Sequence, residues 1–266
     1  MIEQIIAFLQ SLPPELVLCI EYLVCCLAIL IMTRLAGRAG LVAYIALAVV
    51  IGNMQVLKTA HFAFLAHPVA LGTILFSSSF VAVDILSEFY GQDNARQAIW
   101  IGFSAILLTT LLMILTISIK PADMSLEAHK AMSELFLPLP SLFFASLISY
   151  LASQHIDISI FQAVRRITSG KYLWLRTVIS GAISALIDNI IFSSLAFIIF
   201  ARNPVEMERL IYTYILGTLV FRVFIIIIQT PVIYLVRRSL LSSGLTQGLQ
   251  ETLGDSRRLE PKENNS

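Results

Sequence analysis

Residues 177–200, TVISGAISALIDNIIFSSLAFIIF, fill twenty-four positions with a single charge, Asp188. A helix needs about 20 predominantly apolar residues to cross the hydrocarbon core of a bilayer, and this stretch is long enough. Runs of similar character recur at 16–32, 41–57, 69–86, 98–119, 142–161 and 210–235. The pattern predicts an all-α integral membrane protein with about seven transmembrane helices. Composition supports it. The 266 residues are 58% hydrophobic and 13% charged, against about 45–50% and about 25% in ordinary soluble domains. So few charges cannot cover a surface that faces water. A net charge of +1 also excludes the concentrated basic face that nucleic-acid binding demands.

One transmembrane domain is expected over 1–240. It comprises an interfacial segment at 1–15, an additional first helix at 16–33 and a six-helix core at 41–236, followed by a flexible polar tail at 241–266. No cleavable signal peptide is expected, because Glu3 stands where a positive flank belongs. Cys19, Cys25 and Cys26 share one apolar run, with neither a disulfide framework nor metal-ligand spacing, so neither metal nor cofactor is expected. The 123–137 segment mixes apolar and charged residues and reads either as a short amphipathic helix or as a loop.

Lysine and arginine set the expected orientation. One set of loops holds Lys58, Lys120, Lys130, Arg202 and Arg209. The other holds Arg34, Arg38, Arg96, Arg165, Arg166, Lys171, Arg176, Arg237, Arg238, Arg257, Arg258 and Lys262. The richer set should be cytoplasmic, which leaves the N-terminus outside and the C-terminus inside.

Ionisable side chains at membrane depth cost about 2.5–3.5 kcal/mol each on insertion scales, so each requires a reason. Here they are Glu21, Asp84, His155, Asp157, Asp188 and Arg222, accompanied by Asn53, Gln154 and Asn189. Helical spacing arranges them in stripes. Ser146, Tyr150, Ser153 and Asp157 form one, and Thr177, Ser180 or Gly181, Ser184 and Asp188 a second. Tyr214, Thr218, Arg222 and Gln229 form a third. A stripe of small hydroxyl residues can serve as a helix-packing seam. Three stripes that each carry a charge favour a shared polar cavity instead, whose usual purpose is transport. Counting 1.5 Å per residue sets Asp188 and Arg222 at similar depth, so they are expected to pair. Glu21 should snorkel toward an interface.

Three segments together resemble one family. They are GNMQVLK (52–58), SSFVAVDILSEFYGQDNARQAIWIGF (78–103), and SLISYLASQHIDISIF (146–161) continuing through KYLWLR (171–176) to SALIDNIIFSSLAF (184–197). In this order and spacing they resemble the queuosine precursor transporter family, also called the vitamin uptake transporter family, over 41–236. The resemblance implies a six-helix core like the substrate-binding components of energy-coupling-factor importers, in the cytoplasmic membrane of a bacterial cell. It implies uptake of a 7-deazaguanine (preQ0, preQ1 or queuine) for tRNA queuosine modification. Arg222, Gly181 and Ala185 depart from what the family commonly carries, which bears on the preferred precursor.

Such a ligand suits these residues. A guanine-like edge presents two parallel donors that one carboxylate can accept together, and Asp157 is the first choice for that contact. Asp84 or Glu88 is expected near a cytoplasmic gate. Glu88 has an alternative as a solvated loop residue. The ring carbonyl wants a donor from Asn53, Gln154, Asn189 or a backbone N–H, and Phe80, Phe161 or Tyr150 could cover the ring. Asp188 and Arg222 complete the candidate set. His155 is expected to be neutral and bonded to a neighbouring helix.

Beyond the ligand and the bilayer, the expected partners are a second copy of the chain or an energising complex, and no nucleic acid. Two other classes stay open: a binding subunit of a multi-component importer, and an intramembrane enzyme. The sequence lacks a G-x-S nucleophile paired with histidine, and it has no P-loop, so any ATP coupling would come from another protein.

Overall fold

The computed structural model describes residues 1–62, 69–137, 140–201 and 204–242. The polar tail from 243 onward lies outside the described residues, as does Arg202. The chain is helical nearly throughout. An exposed helix α1 (Ile2–Gln10) leads through Pro13 into α2 (Pro14–Gln55).

α2 contains two of the expected runs, and it reverses between them. Gly37 sits at φ 52° and ψ −124°, a conformation open essentially to glycine alone. The two arms then close face to face. A Cβ on Gly40 would lie 1.9 Å from the carbonyl oxygen of Met32, an approach that only glycine allows. Gln55 donates from Nε2 to Glu21 Oε1 at 2.7 Å, although 34 residues of straight helix would separate them by about 50 Å. Glu21 is thus tied to the opposite arm.

A short hairpin follows, with β1 (Thr59–Ala60) antiparallel to β2 (Val69–Ala70). The run expected to begin at 69 therefore enters its helix later, at Thr73. The remaining elements are α3 (Thr73–Phe89), α4 (Gln92–Ser118), a 3-10 turn (Asp123–Ser125) and α5 (Leu126–Phe136). Next come α6 (Pro140–Ile167) and α7 (Leu173–Ser194), which runs on into a π-helical turn (Leu195–Ile199). Last, α8 (Met207–Arg209) passes through a π-helical segment (Leu210–Gly217) into α9 (Thr218–Ser242). The 123–137 segment is thus the helical alternative, with no buried side chain in α5.

Among the described residues, four helices are long and apolar enough to cross a membrane: Pro14–Gln55, Gln92–Ser118, Leu173–Ile199 and Leu210–Arg238. The chain is a helical membrane protein. α3, about 26 Å long at helical rise, is its centre and packs against α2, α4, α6, α7 and α9. Every residue from 77 to 87 is buried, which explains a helix with little polar–apolar asymmetry. On α4, by contrast, Leu108, Leu111, Leu112 and Leu115 point outward, where lipid tails would solvate them.

The basic junctions gather at one end of the bundle. Arg38, beside the bend of α2, donates to Gln97 on α4. The Tyr90 hydroxyl, at the α3–α4 junction, lies 3.3 Å from where a Gly37 Cβ would stand. The Trp174 backbone N–H at the start of α7 donates to Tyr234 Oη on α9 at 3.1 Å.

Candidate functional site

α6 and α7 run antiparallel, and their polar residues meet in rungs four residues apart. Ser153 donates to Asp188 Oδ1 at 3.2 Å. One turn on, Ser184 donates to Asp157 Oδ1 at 2.9 Å. Beyond these, Phe161 lies beneath the Arg176 guanidinium, 5.1 Å from ring centre to Cζ. Last come Arg165 and Arg176, which both reach Glu88 on α3. A four-residue step keeps residues on one helix face, so the two stripes read from the sequence form one ladder.

The second rung holds the most unusual chemistry. Asp157 is fully buried and Asp84, from the middle of α3, is 3% exposed. The two carboxyls are close neighbours, with Thr177 beside Asp84 and Ser180 and Ser184 beside Asp157. Asp84 Oδ1 and Asp157 Oδ2 accept no hydrogen bond from another residue. Two neighbouring buried carboxyls call for a shared proton or for a ligand that donates to them.

The first rung is satisfied from within. Arg222 on α9 bonds Asp188 Oδ2 and donates to Asn189 Oδ1 at 2.7 Å. Asn189 donates in turn to Thr218 Oγ1 at 2.9 Å and to the Ile215 carbonyl. The expected Asp188–Arg222 pair is present, and it ties α7 to α9. The side chain of Gln229 lies outside the described residues.

At the basic end, Arg176 Nη2 meets Glu88 Oε1 at 2.5 Å, and Arg165 Nε lies 3.8 Å from Glu88 Oε2. Glu88 is therefore no solvated loop residue. Arg176, expected among the loop charges, instead occupies the first turn of α7 and is 1% exposed. A signal for it existed: 176, 180, 184 and 188 are spaced by four, so Arg176 extends the α7 stripe by one turn.

The remaining candidates are scattered. Gln154, fully buried, donates to Ser79 Oγ at 3.3 Å and leaves Oε1 unpartnered. Asn53 donates to the Val49 carbonyl and accepts from Ser146. It lines a cavity of about 90 Å³ among α2, α4, α5, α6 and α7, toward the end of the bundle opposite the basic junctions. His155 bonds the Leu151 carbonyl of its own helix, not a neighbouring one, at 2.9 Å, and stacks edge-on to Trp100. Phe80 borders a second cavity, about 10 Å³, with Ser77, Gly181, Ala185, Arg222 and Ile226, room for about one water. Neither Asp84 nor Asp157 lines either cavity, so packed helices enclose the carboxyl pair. Among the described residues, no three His, Cys, Asp or Glu side chains group as metal ligands would.

Comparison with known proteins identifies relatives of this chain. The family described as "Putative vitamin uptake transporter" matches residues 70–236, which contain every rung of the ladder. A Bacillus subtilis protein named "Probable queuosine precursor transporter" is 35% identical over 181 residues, covering 68% of this chain and 78% of its own length. A Haemophilus influenzae protein of the same name is 24% identical over 126 residues, 47% of this chain and 51% of that one. No solved structure matches. The family match over 70–236, with the 35% identity to the Bacillus subtilis protein, places this chain in the vitamin uptake transporter family.

Proposed function

We propose that this protein imports a queuosine precursor, a 7-deazaguanine such as preQ0, preQ1 or queuine, across the cytoplasmic membrane. The Asp84–Asp157 pair would be its recognition centre. The single observation that carries this is the presence of two adjacent buried carboxyls, each with an oxygen lacking a partner. A guanine-like edge offers two parallel N–H donors, which is what such a pair lacks. The names of the two similar proteins support the substrate class.

The remaining candidates take supporting roles. Asp188 with Arg222 holds α7 to α9 beside the pair. Gln154 offers one further acceptor, and Glu88 closes the basic end. Asn53 borders the separate cavity at the other end, on the path of entry. Because packed helices enclose the pair, a ligand reaches it only when α3, α6 and α7 separate, as alternating access requires. The basic end is the cytoplasmic one by the lysine and arginine rule, which sets the N-terminus outside. The residues from 41 to 236 serve as a six-helix core, and the first arm of α2 is an addition to it.

Uptake of labelled precursor by cells lacking their own carrier tests the proposal. Asp157→Asn should abolish uptake while the protein still reaches the membrane; unchanged uptake removes Asp157 from the site. Activity of the purified chain alone in liposomes would identify a self-sufficient carrier, and activity only with added ATP-hydrolysing proteins would identify a subunit.

A further inference from the structure

We propose that Arg176 reads the ring carbonyl of the transported heterocycle, so that one buried site sets carboxylate acceptors against a guanidinium donor. This rests on the 7-deazaguanine reading above and adds a residue and a selectivity to it.

Buried polar atoms in folded proteins are nearly always partnered, and exceptions ask for an explanation. Among the described residues the exceptions concentrate on α3, α6 and α7. Apart from Gln55 Oε1 on α2, the acceptors are Asp84 Oδ1, Asp157 Oδ2, Gln154 Oε1 and Glu88 Oε2, and the obligate donors are Arg176 Nε and Nη1. The hydroxyls of Tyr150 and Thr177, able to do either, complete the group. Of the amides expected from the sequence to serve a carbonyl, Asn189 spends both N–H groups on Ile215 and Thr218, while Asn53 and Gln154 each spend one, on Val49 and Ser79. Arg176 is the charged donor among them, with Nε and Nη1 both unspent.

Its setting holds those groups in place. Nη2 is committed to Glu88, and the Phe161 ring lies against the guanidinium, which limits rotation. Glu88 is one turn beyond Asp84 on α3, and Arg176 precedes Thr177, the neighbour of Asp84. Arg176 also stands close enough to Asp84 for their charges to interact. A flat ring admitted at the carboxyl pair therefore meets acceptors for its N–H donors, with a cationic donor for the carbonyl on the same edge.

The test is competition against labelled precursor by 7-deazaguanine and by its 6-thio analogue, which keeps both N–H donors and replaces only the carbonyl oxygen by a weaker acceptor. In the wild type, the oxo compound should compete at least about tenfold better, as expected for a hydrogen bond to a charged group. Arg176→Lys, which keeps the charge beside Glu88 but loses the fork, should bring that ratio close to one. Phe161→Leu should lower it too, and decides the matter if the lysine variant does not reach the membrane. Equal competition in the wild type, or a ratio that no variant shifts, overturns the proposal. Equal losses for both compounds in Arg176→Lys would make Arg176 a structural strut and also overturn it. A wild type that takes up no 7-deazaguanine defeats the transport reading instead.

Discussion

Ser184 Oγ on α7 lies 2.9 Å from Asp157 Oδ1 on α6 and 2.7 Å from the Ser180 carbonyl one turn back, so its one hydrogen is shared between the two acceptors. The serine thus orients one oxygen of Asp157 and leaves the other free. Ser184→Ala should weaken precursor uptake by roughly tenfold, the scale of one hydrogen bond to a charged group. Asp157→Asn, which removes an acceptor outright, should cost at least about a hundredfold. Initial rates over a range of precursor concentrations check both. A serine variant as damaged as the aspartate variant would mean that the hydroxyl itself holds the ligand.

The Asp188–Arg222 pair is predicted to matter for the fold more than for recognition. Removing one partner strands a charge away from water, at about 3–5 kcal/mol. Asp188→Asn and Arg222→Gln alone should each lower the melting temperature in detergent substantially, and the double variant should recover most of that loss. A double variant as unstable as the sum of the singles would show that the two side chains act independently.

Glu88 holds two arginines from two other helices at the basic end. Glu88→Gln takes away the charge that joins them and should loosen this end of the bundle. In a variant with Cys19, Cys25 and Cys26 replaced by serine, a Ser87→Cys reporter, fully buried in the native fold, should react with a water-soluble thiol reagent roughly tenfold faster once Glu88 is neutral. Unchanged labelling would mean that packing alone closes this end.

Gly40→Val places side-chain carbon where Met32 carbonyl oxygen now stands. The two arms of α2 would have to part, at several kcal/mol on the scale of overpacked interiors. Loss of monodisperse protein in size-exclusion chromatography is the expected result. Ala36→Val, exposed on the same bend, should behave as wild type.

Hydrophobic run length alone determined that this chain is a helical membrane protein, because a bilayer core demands about 20 apolar residues from any crossing helix. Four-residue spacing likewise showed which faces of α6 and α7 are polar, and depth counting paired Asp188 with Arg222. Register between helices was not legible in this way. Only the tertiary structure brings Asp84 from α3 against Asp157, since nothing local in either segment says which helix faces which. The same holds for Arg176, which resembles an ordinary loop cation until the packing of α3, α6 and α7 buries it. Periodicity describes one helix at a time, whereas a site built from three helices depends on contacts between residues distant in the chain.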